Sequence, residues 1–105
     1  MSGYEFHPDV EFDLKDIWEF IAEESPTAAD KVAADIRSRI ERLVPFPNQG
    51  HKRPDLTSRL LRFAVVHQYS IAYAPERKPL WIVAVVHGRR NPQVIAAILR
   101  GRALM

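Results

Sequence analysis

Across residues 45–58 the spacing of apolar side chains changes period, and this change restricts the chain to few folds. Before it, Val10, Leu14, Ile17 and Ile21 lie on one helical stripe. Ala29, Val32, Ala33, Ile36, Ile40 and Leu43 continue a helical period. After it, Arg59–Val66, Tyr69–Ala74 and Leu80–His87 are rich in Leu, Val, Ile, Tyr and Phe, with short breaks between them. Helices gathered in one half and strands in the other imply an α+β fold rather than alternating βαβ units.

Local signals place the elements. Tyr4-Glu5-Phe6-His7 alternates and reads as a short strand. Pro8 suits a helix start, and Asp9, Glu11 and Asp13 follow where the helix dipole favours negative charge. The first helix is expected at about residues 8–24, with Trp18 and Phe20 on the shoulders of its stripe and Phe12 on the opposite side. Ser25-Pro26 caps and opens a second helix, which Pro45 and Pro47 end near Val44. The two form a helical hairpin. Residues 45–58, PFPNQGHKRPDLTS, read as a loop. The next three strands form an antiparallel meander. Leu80 to Val86 is apolar throughout, as in a central strand covered on both faces. Pro92 to Leu99 reads as a last short helix. The expected architecture is one domain over residues 1–105: an N-terminal strand and a helical hairpin packed on a small, mostly antiparallel sheet, with a short C-terminal helix.

Charge divides as sharply as hydrophobic period. Residues 1–48 hold eleven acids against five bases, and residues 49–105 hold two acids, Asp55 and Glu76, against ten bases. An acidic and a basic face follow, the basic one suited to an anionic partner. The chain has no cysteine, which excludes disulfides, a thiol nucleophile and thiolate metal ligation. Its four glycines are scattered, so no phosphate loop is present. The histidines have no metal-ligand spacing, and neither metal nor cofactor is expected. With no apolar run of membrane length and no secretory pattern at the N-terminus, a cytoplasmic protein is expected.

The candidate chemistry lies in the basic half. Arg62 alternates with Leu61 and Phe63, so it falls on the other face of its strand. Arg89 and Arg90 follow the apolar strand, and with Lys52 and Arg53 from the loop they can converge with Arg62 on a basic patch. Guanidinium groups in such a patch pair with phosphate or carboxylate. His87 ends the apolar strand and His67 sits in a turn. Their ordinary pKa near 6.5 suits proton transfer, although backbone hydrogen bonding or plain surface exposure explains each as simply.

Several stretches together resemble the RelE/ParE superfamily of bacterial toxins, most closely its ParE branch. They are Phe6-His7-Pro8, Asp13 to Trp18, Ser25 to Ala29, Gly50 to Leu56, Leu61-Arg62-Phe63, Tyr69 to Tyr73 and Val85 to Arg90. They fall in family order and span nearly the whole chain. The resemblance implies the toxin of a type II toxin–antitoxin pair, held in check by a small cognate antitoxin in a hetero-oligomer. ParE-type members poison DNA gyrase, whereas RelE-type members cut messenger RNA on the ribosome. RNA-cleaving relatives carry a base or acid, often Tyr or His, near the C-terminal helix. Residues 91–105 contain no Tyr, His or Lys. The expectation is therefore a gyrase-directed protein without catalytic residues, whose target-binding patch is Lys52, Arg53, Arg62, His87, Arg89 and Arg90. The alternatives are a ribosome-dependent endoribonuclease and an inactive homologue that acts only in an antitoxin complex. Antitoxins of this family insert a segment into a groove of the toxin. That implies an antitoxin surface at Phe12, Trp18 and Phe20 on the first helix and at Val94, Ile98 and Leu99 near the C-terminus.

Overall fold

A computed structural model describes residues 3–102. Strand β1 (Tyr4–Phe6) leads into helices α1 (Val10–Ala22) and α2 (Pro26–Leu43). A single 3-10 turn at Pro47–Gln49 interrupts the loop that follows. Strands β2 (Arg62–Val66), β3 (Tyr69–Ala74) and β4 (Leu80–His87) precede α3 (Pro92–Gly101). The sheet order is β1-β4-β3-β2, with β1 parallel to β4 and the other pairs antiparallel.

The helix boundaries follow their caps. Ser25 Oγ accepts the Ala28 N–H at 3.1 Å and Pro26 takes the first helical position. Asn91 does the same for α3, its side chain accepting the Gln93 N–H at 2.8 Å. Helix α1 begins two residues after Pro8 rather than at it. The His7 carbonyl accepts the Val10 N–H and His7 Nδ1 accepts the Asp9 N–H, so Pro8 belongs to a turn before the helix. Strand β2 is also shorter than its sequence suggests. Residues 59–61 bend because the Arg59 N–H donates to Thr57 Oγ1 and its side chain turns toward α3.

Strand β4 lies between β1 and β3 and is covered on both faces, as its unbroken apolar run predicts. On one face Leu80, Ile82 and Val85 pack with Ile71 and Tyr73 against Val10, Ile36, Ile40 and Leu43 of the helical hairpin. On the other, Val83, Ala84 and Val86 pack with Phe63 and Ala72 under Leu56, Ile95 and Leu99. A register shift between Ala72 and Tyr73 pairs Tyr73 with Ile82 but Ala72 with Ala84. This bulge places Val83 and its neighbour Ala84 in the same cluster.

Strand β1 ends opposite Ile82, whereas β4 continues to His87. An ion pair stands where β1 stops. Arg102 donates from Nη1 and Nη2 to Asp13 at 2.6 and 2.9 Å. The same Nη1 reaches the Val83 carbonyl at 3.0 Å, and Asp13 Oδ2 accepts the Val85 N–H at 3.0 Å. The open edge of β4 is satisfied by two side chains.

The tight β2–β3 turn sets His67 at φ 54°, the one non-glycine residue with positive φ among the described residues. A two-residue hairpin turn needs that conformation. His67 Nε2 donates to Asp35 Oδ2 of α2 at 2.7 Å, which ties the turn to the hairpin.

Candidate functional site

The six cations and histidines expected in one patch separate into two groups. Arg62 pairs with Tyr73, which pairs with Ile82, at the start of β4. His87 is the last residue of β4 and pairs with Tyr69 beside the β2–β3 turn. The five strand positions from Ile82 to His87 span roughly 17 Å. Arg62, Lys52 and Arg53 therefore gather at one end of the sheet and His87, Arg89 and Arg90 at the other. The strand alternation of Arg62 was legible in the sequence, but the antiparallel register was not, and the register prevents the convergence.

At the first end, the loop between α2 and β2 and the β3–β4 turn enclose a cleft of about 300 Å³. Lys52, Arg53, Arg62 and also Arg59 line it, with one acid, Glu76. Arg53 grips Asp55 with Nε and Nη2 at 3.0 and 2.8 Å. This pairing holds the Asp55 carboxyl below the ordinary carboxylate range and raises the Arg53 guanidinium above its own. Arg62 Nη1 donates to the Gly50 carbonyl at 2.7 Å. Behind it the buried Tyr73 hydroxyl accepts the Gly50 N–H at 2.9 Å and donates to the Pro47 carbonyl at 2.7 Å. Gly50 is required here, because a Cβ would stand 2.5 Å from the Tyr73 hydroxyl oxygen. Burial pushes the Tyr73 phenol up, opposed by its bond to Gly50 and by Arg62.

Arg59 was absent from the expected patch. Its Nη1 donates to the Leu99 and Arg102 carbonyls and so caps the C-terminus of α3. No spacing in the sequence links Arg59 to residues forty positions later. The same holds for Asp13 and Arg102.

At the second end, His87 Nδ1 accepts the Arg89 N–H and Nε2 donates to Gln68 Oε1. Its ring lies edge-on to Tyr69 at 5.3 Å. These contacts fix the ring at the end of β4. A groove of about 340 Å³ runs from His87 and Arg90 past Tyr69 to Ile17 and Phe20 on α1, with Asp13 and Asp16 along its side.

The expected partner surface is also divided. Phe12 and Phe20 are 65% and 72% exposed on α1, and Phe20 borders the groove beside His87. Trp18 is 38% exposed, and its Nε1 donates to Asp30 at 2.8 Å, joining α1 to α2. Val94 is partly exposed and Ile98 packs partly against the second cluster. Leu99 is 1% exposed in that cluster and departs from the expectation: it is a core residue that anchors α3 and offers no surface to a partner in this structure.

A family model described as "ParE toxin of type II toxin-antitoxin system, parDE" matches residues 4–92. The chain belongs to the ParE toxin family. The match covers β1 through the start of α3, including both cationic ends and the helical hairpin. No curated protein matches the chain. Membership makes it a ParE-like toxin of a type II system, whose cognate partner is an antitoxin. The ParE-family fold is an α+β layer with the hairpin on one face of a four-stranded mixed sheet, as the sequence implied. Among the described residues no helix is long and apolar enough to cross a membrane.

Proposed function

We propose that this ParE-family toxin arrests growth by docking on DNA gyrase, without breaking bonds itself. The family match over residues 4–92 carries this reading. The side-chain geometry supports it. Ribose-phosphate cleavage needs a base, an acid and converging cations within reach of one phosphate. Here His87 is engaged through both ring nitrogens and lies at the other end of the sheet from Arg62, and the Tyr73 hydroxyl is occupied on both sides. On this reading the two cationic ends, Lys52, Arg53 and Arg62 and then His87, Arg89 and Arg90, are docking surfaces for the target. The antitoxin contacts α1 at Phe12, Trp18 and Phe20, which lie on different sides of the helix, together with Val94 and Ile98. Exposed aromatics beside acidic and basic rims suit helix-in-groove recognition.

Controlled expression in a bacterium tests the proposal. Double-strand DNA breaks and an SOS response with intact transcripts are expected. Codon-linked transcript cleavage without DNA damage contradicts the reading and assigns a ribonuclease. Absence of any growth effect assigns an inactive homologue.

A further inference from the structure

The cleft at the β2 start holds more positive charge than its surroundings neutralise. Four cations line it and only Glu76 among the lining residues is acidic. Arg53 is balanced by Asp55, but among the described residues no acid lies within ion-pair distance of Lys52, Arg59 or Arg62. The arginines are also fixed. Arg62 is tied to Gly50 by one nitrogen only, which leaves the rest of its fork available. Arg59 is held to the end of α3 by Nη1 and its Nη2 is sealed from solvent, so it adds positive charge to the wall of the cleft rather than a free donor. Ser58 and Thr57 add hydroxyls to the same walls. The fixed Arg62 fork, beside the exposed Lys52 and the hydroxyl donors, matches the tetrahedral, multiply charged oxygens of a phosphate group.

We propose that this cleft, lined by Lys52, Ser58, Arg59 and Arg62, is a phosphate-binding site. The proposal goes beyond gyrase docking and does not depend on it. The phosphate comes either from a free phosphate or pyrophosphate ion or from the backbone of a nucleic-acid strand.

Amide chemical-shift titration of the full chain tests this, with inorganic phosphate, pyrophosphate and a short DNA duplex as separate probes. Shifts at Lys52, Ser58 and Arg62 with the inorganic ions assign a free-anion site. The same shifts with the duplex alone assign a strand-backbone site. Lys52→Glu, on an exposed position with no structural bond, is expected to weaken binding about tenfold. Arg37→Glu, exposed on α2 and outside the cleft lining, leaves it unchanged. The proposal is overturned if no probe moves the cleft amides, if the shifts centre on Arg89 and Arg90, or if Lys52→Glu binds as the parent does.

Discussion

Asp13 and Arg102 lie eighty-nine residues apart and form a two-pronged ion pair that ends β4's exposed edge. Both side chains are almost withdrawn from solvent, at 14% and 12% exposure. The pair joins α1, β4 and the residue after α3, and the carboxylate beside Arg102 holds its guanidinium above the ordinary value. Each partner also satisfies a backbone group of β4, so removing Asp13 leaves the Val85 N–H without its acceptor and Arg102 with only the Asp9 carboxylate, 3.9 Å away.

Asp13→Ala is therefore expected to lower stability by about 3 kcal/mol. Urea denaturation measures the loss, and hydrogen exchange shows it concentrated in α3. Asp13→Ala combined with Arg102→Leu recovers part of it, because the stranded charge is gone. A single variant as stable as the parent contradicts this account of the β4 edge.

Gly50→Ala places a methyl group against the Tyr73 hydroxyl and the Phe63 carbonyl, 2.5 and 2.9 Å away. The loop or the ring must shift, and the expected loss is about 1–3 kcal/mol. Thermal unfolding measures it. Tyr73→Phe is expected to cost about as much, since the Gly50 N–H and the Pro47 carbonyl lose their shared partner.

Burial raises the phenols of Tyr69 and Tyr73. A group whose folded pKa is raised contributes its stability fully below the ordinary value, here about 10, and loses it as pH rises through the folded value. Tyrosinate absorbance is expected to develop late and together with unfolding in alkali. Tyr73→Phe removes part of that late phase. Early titration of Tyr73 in the folded chain contradicts its burial.

Asp35 behaves with the opposite sign. Its bond to His67, followed by Lys31, holds its carboxyl below the ordinary range. Its contribution is present above the ordinary carboxylate value and is lost as pH falls through the lowered one. In His67→Ala the Asp35 titration, followed by carboxyl-carbon resonance, is expected to move up. An unmoved titration excludes the turn-to-helix bond.

The elements were largely legible because their signals are local. Ser25-Pro26 and Asn91-Pro92 each place a cap acceptor beside a proline, and both open helices where they should. The apolar run from Leu80 to Val86 announces a covered central strand, and β4 is one. Pro8 misled because a free histidine nitrogen captured the next N–H and made a turn. The site was less legible because it depends on register. Nothing near Arg62 in sequence says whether it lies beside His87 or at the other end of the sheet. Leu99 resembles surface-exposed Val94 in type and helix, and only the helix phase against β4 buries it. Arg59, Asp13 and Arg102 act over separations that carry no sequence signal.

Charge reversal separates the roles of the two cationic ends. Arg62→Glu and the pair Arg89→Glu with Arg90→Glu, made separately, are each expected to reduce growth arrest while circular dichroism stays unchanged. A combined triple variant that arrests growth as the parent does rules out both ends as target surfaces.

The most direct test of the central claim uses the purified chain with gyrase and relaxed plasmid in one reaction and with translating ribosomes in another. Loss of supercoiling and accumulation of cleaved plasmid, with the ribosomal message intact, is the predicted result. A severed message beside undisturbed gyrase would contradict it.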